Sequence, residues 1–291
     1  MIISHNNSGL CNRLKSWASS LKIDSNCYVE WQETVKVRYK DMPFPSFSSL
    51  FENENKRPEN RPFHRSVTYD RPDDIFNKGL DTDEGVLKCY RSPYLAVLPE
   101  DGVQRDFIKS PFSEKTIVDH QYHRTPTNLR EQYSKIFSEI RFKKNFLEQA
   151  EMYLAKNLSD NQRDKLVTVH IRSFCDSPGR KERWYNLQNF IEKMRELDDD
   201  DVKFYLAVDE NAIITQVQDV FRDKVIHFPK TKDPYDDMGS YESQAEAIIE
   251  LLILGKGNAL LATETSTYSE VAWWLGKCKP QVYKIGNIIY E

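Results

Sequence analysis

The sequence has no apolar run of about 18 residues, which is the length that a membrane-spanning helix requires. Its first residues, Met-Ile-Ile-Ser-His-Asn-Asn, lack the basic and apolar segments of a secretory signal peptide. These two absences predict a cytoplasmic protein without a membrane span.

Cysteine is scarce and scattered. The chain has five cysteines and no Cys-x-x-Cys pair, which argues against a disulfide framework and against a zinc site. The phosphate-binding run Gly-x-x-x-x-Gly-Lys followed by Ser or Thr is also missing, which disfavours a kinase of that class. We therefore expect free thiols, a reducing compartment, no metal and no cofactor.

An excess of positive charge is missing as well. The chain has 41 lysines and arginines against 45 aspartates and glutamates, a net charge of −4. This balance gives no general attraction to nucleic acids or to membrane surfaces. With 291 residues, of which 39% are hydrophobic, the chain is long enough for two domains with separate cores.

From residue 165 onward, the sequence alternates regularly between apolar strands and amphipathic helices. The predicted strands cover residues 166–171, 202–208, 224–228, 258–262 and 281–285. The predicted helices cover residues 185–197, 211–221, 241–256 and 268–277. Alternation of this kind predicts an α/β fold with a parallel, doubly wound sheet.

The first half of the chain is less regular. Apolar spacing predicts a strand at residues 1–3, a helix at 10–21 and a strand at 27–31. Residues 42–126 are rich in Pro, Asn, Asp and Arg, and we expect loops and short helices there, some of them lining an acceptor groove. Helical spacing returns at residues 128–158, as two helices or as one interrupted near Arg141. A domain change is expected close by, giving domains at residues 1–150 and 151–291.

Three polar clusters follow predicted strands of the second half. They are His170 with Arg172, the pair at residues 209–210, and the run Thr-Glu-Thr-Ser-Thr at residues 263–267. Parallel sheets bind ligands in the crevice at the carboxyl ends of their strands, so these clusters should lie along one rim. Each cluster is also explained without a ligand, by an ion pair at the end of the sheet or by helix capping.

The residue types in these clusters suit a diphosphate. Arg172 can pair with two phosphate oxygens at once through its planar guanidinium. The hydroxyls of Thr265 and Ser266, with the unpaired backbone N–H groups of the helix that follows, would cradle the same anion. Asp209 could accept hydrogen bonds from a base or a ribose.

Two predicted helix starts complete the set. Thr267 and Glu270 have the spacing of a capping box, with Thr267 as the N-cap residue. In the first half, Gly9 stands between a strand and a helix, and Asn12 and Arg13 fall in the first helical turn, a setting in which backbone N–H groups meet anions.

With these residues the chain resembles the superfamily of α1,2-, α1,6- and protein O-fucosyltransferases, which includes the rhizobial nodulation fucosyltransferase. His-Ile-Arg at residues 170–172, Leu-Ala-Val-Asp-Glu at 206–210 and Ala-Thr-Glu-Thr-Ser-Thr at 262–267 resemble its three shared motifs. Gly-Leu-Cys-Asn-Arg-Leu at residues 9–14 resembles the segment near the N-terminus of many members. Ser173 stands where many members have a second basic residue.

The resemblance implies a GT-B architecture, in which two Rossmann-like domains face each other across a cleft. It implies an acceptor-side domain at residues 1–150, a nucleotide-sugar-binding domain at 151–291, and an inverting, metal-independent transfer of fucose from GDP-fucose. The partners would be the nucleotide sugar and a glycan, glycolipid or protein acceptor. Carried over by position, the donor-binding residues are Asn12, Arg13, His170, Arg172, Asp209, Thr265, Ser266 and Thr267.

Catalysis needs a cation at the β-phosphate, and we assign that role to Arg172. Glu264, Asp176 and His5 are the candidates for a base that takes the acceptor proton, and Glu264 is our choice of catalytic carboxylate. The alternatives are a glycosyltransferase that uses another nucleotide sugar and a non-catalytic protein that binds nucleotide sugars or glycans.

Overall fold

The computed structural model describes residues 2–37, 40–56, 65–69, 86–90, 95–96, 98, 101, 125–173, 186–232, 237, 239–264 and 266–286. The chain divides into two compact units, Met1–Lys143 and Lys144–Glu291. The domain boundary predicted after residue 150 falls inside the first helix of the second unit, Lys144–Asn157. No helix among the described residues combines the length and the apolar character needed to cross a membrane.

The first unit contains a parallel sheet of four strands in the order β2-β1-β6-β5, and a separate antiparallel hairpin of β3 and β4. Its described elements are β1 (Ile2–Ser4), α1 (Leu10–Ile23), β2 (Cys27–Val29), β3 (Thr34–Val37), β4 (Lys40–Pro43), α2 (Phe47–Leu50), β5 (Arg65–Tyr69), β6 (Val86–Tyr90) and α3 (Thr127–Glu139). The strands and helix predicted in residues 1–31 are confirmed. Most of residues 57–124, including much of the expected acceptor groove, lies outside the described residues.

Helix α1 lies close to the first sheet because small hydroxyl side chains form part of its buried face. Ser4 on β1 and Ser16 on α1 are joined by a hydrogen bond of 3.4 Å between their hydroxyls. Ser19 accepts a hydrogen bond of 3.0 Å from the backbone N–H of Ala96. Trp17 packs against the rings of Trp31, Phe47 and Phe51 and is 4% exposed. The helical spacing predicted from the sequence therefore marks a buried face that is partly polar.

The second unit contains a parallel sheet of five strands. Its described elements are α4 (Lys144–Asn157), α5 (Asp160–Arg163), β7 (Leu166–Ile171), α6 (Leu187–Glu196), β8 (Lys203–Val208), α7 (Asn211–Phe221), β9 (Val225–Ile226), α8 (Tyr241–Leu254), β10 (Ala259–Thr263), α9 (Thr267–Leu275) and β11 (Gln281–Ile285). The strand order is β11-β10-β7-β8-β9, so the order of addition reverses between β7 and β10. Such a reversal is where doubly wound sheets open a crevice for ligands.

Helices cover both faces of this sheet. On one face, Val167, Val169 and Ile171 of β7 join an apolar core with residues of α6 and α7. On the other face, Thr168 of β7 donates a hydrogen bond of 2.9 Å to the carbonyl of Leu254 at the end of α8. Helices α4 and α9 also pack with α8 on this second face. Because side chains alternate along a strand, β7 is buried on both sides, as its continuous apolar run predicted.

The capping box predicted at Thr267 and Glu270 is wrong. The N-cap residue of α9 is Ser266, whose side chain makes no capping hydrogen bond. Glu270 is fully buried and its Oε1 accepts a hydrogen bond of 3.3 Å from Nε1 of Trp274. The carboxylate therefore lies on a buried side of α9 and bonds to Trp274 one turn further along the helix.

Candidate functional site

Arg172 lies at the carboxyl end of β7, beside the reversal point of the sheet. It is the first residue after a strand whose six residues are all buried, and its own side chain is exposed. Among the residues that the structure describes, none forms a salt bridge with its guanidinium. A cation at this position can bind an anion from solvent without first breaking an internal ion pair.

The backbone under Arg172 is tied to the neighbouring strand β10 by one hydroxyl. Thr263 Oγ1 donates a hydrogen bond of 2.8 Å to the carbonyl of His170 and accepts one of 2.9 Å from the N–H of Arg172. Thr263 is 4% exposed, so this bridge is shielded from water. The hydroxyl fixes the exit of β7 at the place where β7 and β10 separate.

Asp209 ties the same loop to the other neighbouring strand, β8. Its Oδ1 accepts hydrogen bonds from the N–H of Ser173 at 2.9 Å and from the hydroxyl of Ser173 at 2.7 Å. Ser173 is 1% exposed. Asp209 was predicted to face the nucleotide base. At least one oxygen of its carboxylate instead supports the loop that carries Arg172.

His170 is part of the interior. Its Nδ1 is hydrogen bonded to the hydroxyl of Ser269 at 2.7 Å, and its ring lies 4.9 Å from the ring of Tyr268. Burial lowers the pKa of His170 to about 3, so the imidazole is neutral at physiological pH. His170 joins β7 to α9, and with 6% of its surface exposed it offers little area to a donor.

The third cluster lies at the end of β10. Ser266 is 7% exposed and Thr267 is half-buried at the start of α9, while Thr265 lies outside the described residues. The backbone N–H of Ser266 donates to the carbonyl of Thr263 at 3.2 Å, which closes a tight turn. The structure therefore brings Arg172, Thr263 and Ser266 to the same end of adjacent strands.

The candidate bases differ in their surroundings. Glu264 is 3% exposed, and its backbone N–H donates to the carbonyl of Ile285 at 3.0 Å. A side chain at Gly286 would collide with Oε2 of Glu264, so the carboxylate lies directly against this glycine. His5 lies 3.7 Å from the carboxylate of Glu30 in the first unit, and Asp176 lies outside the described residues.

The predicted donor contact of Arg13 is corrected by its geometry. Its guanidinium donates to the carbonyls of Ser8, Gln32 and Thr34 at 2.6, 2.8 and 2.7 Å, and it lies 3.9 Å from the ring of Phe44. Arg13 has no exposed surface, and burial lowers its pKa to about 10, which leaves it charged. The side chain joins segments of its own unit by hydrogen bonds, so no surface of Arg13 is left for a ligand.

Asn12, its neighbour, is half-buried. Within the described part of the chain, its buried Oδ1 accepts no hydrogen bond.

No sequence pattern pointed to Lys230 and Glu250. Lys230 follows β9, Glu250 lies on α8, and Nζ and Oε2 of the two are 2.9 Å apart. The pair is separated by 20 positions and crosses from a loop to a helix, so no spacing rule reveals it. No described cluster of three or more His, Cys, Asp or Glu residues could hold a metal ion.

The chain matches no protein-family model and no curated protein, but it matches solved structures over nearly its whole length. NodZ α-1,6-fucosyltransferase soaked with GDP-fucose is 19% identical, with a TM-score of 0.53, covering 94% of this chain and 91% of that one. NodZ from Bradyrhizobium, as its selenomethionine form, is 19% identical, with a TM-score of 0.51 and coverage of 93% and 90%. POFUT1 in complex with GDP is 12% identical, with a TM-score of 0.53 and coverage of 97% and 96%.

The chain has the fold of these fucosyltransferases. The predicted α/β class and the parallel sheet of the second half are confirmed. At identities this low the likeness establishes the fold, and the activity has to be argued from the site.

Proposed function

We propose that this protein is a fucosyltransferase-like glycosyltransferase that moves fucose from GDP-fucose to a hydroxyl of a glycan, glycolipid or protein acceptor. The proposal includes the GT-B arrangement, inversion at the sugar carbon, independence of metal ions and a cytoplasmic location. The observation that carries it is the position of Arg172. This exposed cation directly follows a buried strand at the reversal point of a parallel sheet, and hydrogen bonds to the neighbouring strands hold its backbone. Structural neighbours with GDP or GDP-fucose bound support the nucleotide part of the proposal.

The chemistry required is a displacement at the anomeric carbon. The acceptor oxygen forms a bond to this carbon while the bond to the β-phosphate oxygen breaks, and its electron pair leaves with GDP. The leaving diphosphate gains negative charge in the transition state, and the Arg172 guanidinium would stabilise that charge through two parallel hydrogen bonds. Because Thr263 and Asp209 already fix the backbone N–H groups of Arg172 and Ser173, little reorganisation is needed at that moment.

The remaining roles are assigned by position along the same rim. The acceptor proton would pass to the carboxylate of Glu264 as general base. Ser266, Thr265 and Thr267 would contact the phosphates or the sugar near the start of α9. Asn12 would contribute from the first unit through its amide.

Removal of the Arg172 charge is the direct test. We expect Arg172→Ala to weaken GDP binding by about 10- to 150-fold, since a hydrogen bond to a charged group contributes about 1.5–3 kcal/mol. Fucose transfer should fall further, because the charge on the diphosphate is larger in the transition state. Calorimetry with GDP and a GDP-release assay with GDP-fucose would measure the two effects.

Arg195 provides the matched control. It is an exposed arginine in the last turn of α6, so Arg195→Ala removes the same charge from the surface of the same unit. GDP binding should be unchanged in this variant. Equal GDP affinity and equal turnover in Arg172→Ala and the wild-type protein would overturn the assignment.

A thermal-shift series and the GDP-release assay distinguish the proposed function from its two alternatives. Stabilisation by UDP instead of GDP in a thermal-shift series would indicate a glycosyltransferase with another donor. Tight GDP binding without release of GDP from GDP-fucose, over a broad acceptor set, would indicate a binding protein.

A further inference from the structure

A buried ion pair lies at the carboxyl end of the second sheet and has no assigned part in the proposed reaction. The side chains of Lys230 and Glu250 are 14% and 6% exposed. Burial raises the pKa of Glu250, and the nearby ammonium of Lys230 opposes that shift. Removing two charges from water is costly, so a pair of this kind is weak evidence for a role in stability alone.

The ammonium of Lys230 also holds the end of β8. Its Nζ donates a hydrogen bond of 2.5 Å to the carbonyl of Val208, the last residue of that strand. Val208 is the register partner of Ile171, the last residue of β7. Lys230 therefore acts on the backbone directly opposite the residue that precedes Arg172.

Asp209, the residue that directly follows β8, extends this set of contacts. Asp209 accepts both hydrogen bonds of Ser173, which directly follows Arg172. Ser173 is therefore held by the residue that directly follows Val208, whose carbonyl Lys230 binds.

We propose that Lys230 is a positioning residue for the donor diphosphate. Held by Glu250, it fixes the end of β8 and, through Val208 and Asp209, the direction of the Arg172 guanidinium. This inference rests on the proposed function, because it assumes that Arg172 binds the β-phosphate. A purely structural role predicts a loss of stability and no selective effect on that phosphate.

The measurement is the ratio of the dissociation constants of GMP and GDP, which isolates the contact with the β-phosphate. Lys230→Met alone leaves the Glu250 carboxylate buried without its ammonium and threatens folding. The double variant Lys230→Met/Glu250→Gln removes both charges together, so no unpaired buried charge remains and we expect the protein to fold. We expect its GMP-to-GDP ratio to be at least fivefold lower than that of the wild-type protein, with GMP affinity changed less than twofold.

Lys203 supplies a matched control, because it is the first residue of β8, at the end of the strand opposite Val208. Its side chain is also 14% exposed, and its Nζ donates a hydrogen bond of 2.6 Å to the carbonyl of Asp223. Lys203→Met therefore makes the same chemical change to a lysine that supports a backbone carbonyl away from the rim. Its GMP-to-GDP ratio should equal that of the wild-type protein.

A double-mutant cycle with Arg172→Ala shows whether the effect passes through the arginine. In the Arg172→Ala background, adding Lys230→Met/Glu250→Gln should change the ratio by less than twofold. A wild-type ratio in the folded double variant, or an equal loss in both backgrounds, would overturn the positioning role and leave the proposed function intact. If the wild-type protein binds GDP no better than GMP, the proposed role of Arg172 fails, and this inference fails with it.

Discussion

The buried side chain of His170 makes the stability of this protein depend on pH. Its pKa is lowered from 6.5 to about 3 by burial, so the native imidazole stays neutral while the unfolded chain takes up a proton below pH 6.5. Between pH 6.5 and about 3 the unfolded state therefore binds more protons. The contribution of His170 to the free energy of unfolding therefore falls as the pH falls through this window, by up to about 1.4 kcal/mol per pH unit.

The variant His170→Gln tests this residue by removing the titration and keeping a polar group toward Ser269. We expect the free energy of unfolding of the wild-type protein to fall more steeply than that of the variant between pH 6.5 and 5, by about 1 kcal/mol per pH unit. Urea denaturation at several pH values measures both slopes. Raising the pKa of a carboxyl such as Glu250 has the opposite sign, and it contributes equally to both proteins. Identical slopes would mean that the pKa of His170 is the same in the native and unfolded states, so that burial does not lower it.

At the scale of the elements, the junction of β7 and β10 depends on the hydroxyl of Thr263. Thr263→Val keeps the shape of the side chain but removes both hydrogen bonds, and it should lower the free energy of unfolding by about 1–3 kcal/mol. Because one of the two bonds holds the N–H of Arg172, GDP affinity should fall as well, whereas Thr263→Ser should retain it.

Thr168 separates the two effects on the same strand. Thr168 is the third of the six residues of β7, and its hydroxyl donates to the carbonyl of Leu254, 2.9 Å away at the end of α8. Thr168→Val should therefore cost similar stability without changing GDP affinity. Urea denaturation and calorimetry with GDP measure both quantities in each variant. If Thr263→Val keeps wild-type GDP affinity while losing stability, the bridge supports the sheet alone.

The elements themselves were largely readable from the sequence. Strands β7 and β11 and helix α7 have the predicted bounds, because uninterrupted apolar runs and helical spacing report burial directly. The strand predicted at residues 224–228 is shorter, since only Val225 and Ile226 pair with β8. The segment at residues 128–158 forms two helices that separate at residues 140–143, near Arg141 as expected.

The contacts within the site were harder to predict, because a charged residue can form hydrogen bonds or ion pairs with partners that no local sequence pattern specifies. Arg13 binds carbonyls of Gln32 and Thr34, which follow it by 19 and 21 positions. Lys230, in the loop after β9, forms an ion pair with Glu250 on the following helix α8. Sequence spacing indicates which end of the sheet holds the polar groups, but it does not tell which of them are enclosed and which, like Arg172, face solvent.

At the scale of the whole molecule, the two units predict where the chain can be divided. Helix α4 packs against α8 in the second unit, and it buries Phe146, Ala150 and Leu154 there. A division after residue 150, as the sequence suggested, would remove Phe146 and Ala150 from this core. Loss of a buried phenylalanine costs about 3–5 kcal/mol, a large part of the about 5–15 kcal/mol that stabilises a domain.

We therefore expect a fragment of residues 144–291 to unfold cooperatively in urea and a fragment of residues 151–291 to be less stable by at least about 3 kcal/mol, or unfolded. Circular dichroism during urea titration compares the two fragments directly. GDP should raise the melting temperature of the longer fragment, because Arg172 and the ends of β7, β8 and β10 all belong to it. A longer fragment that folds but does not respond to GDP would contradict a nucleotide site contained within the second unit. Equal stability of the two fragments would show that α4 does not contribute to the stability of the second unit and that the core of this unit begins at β7.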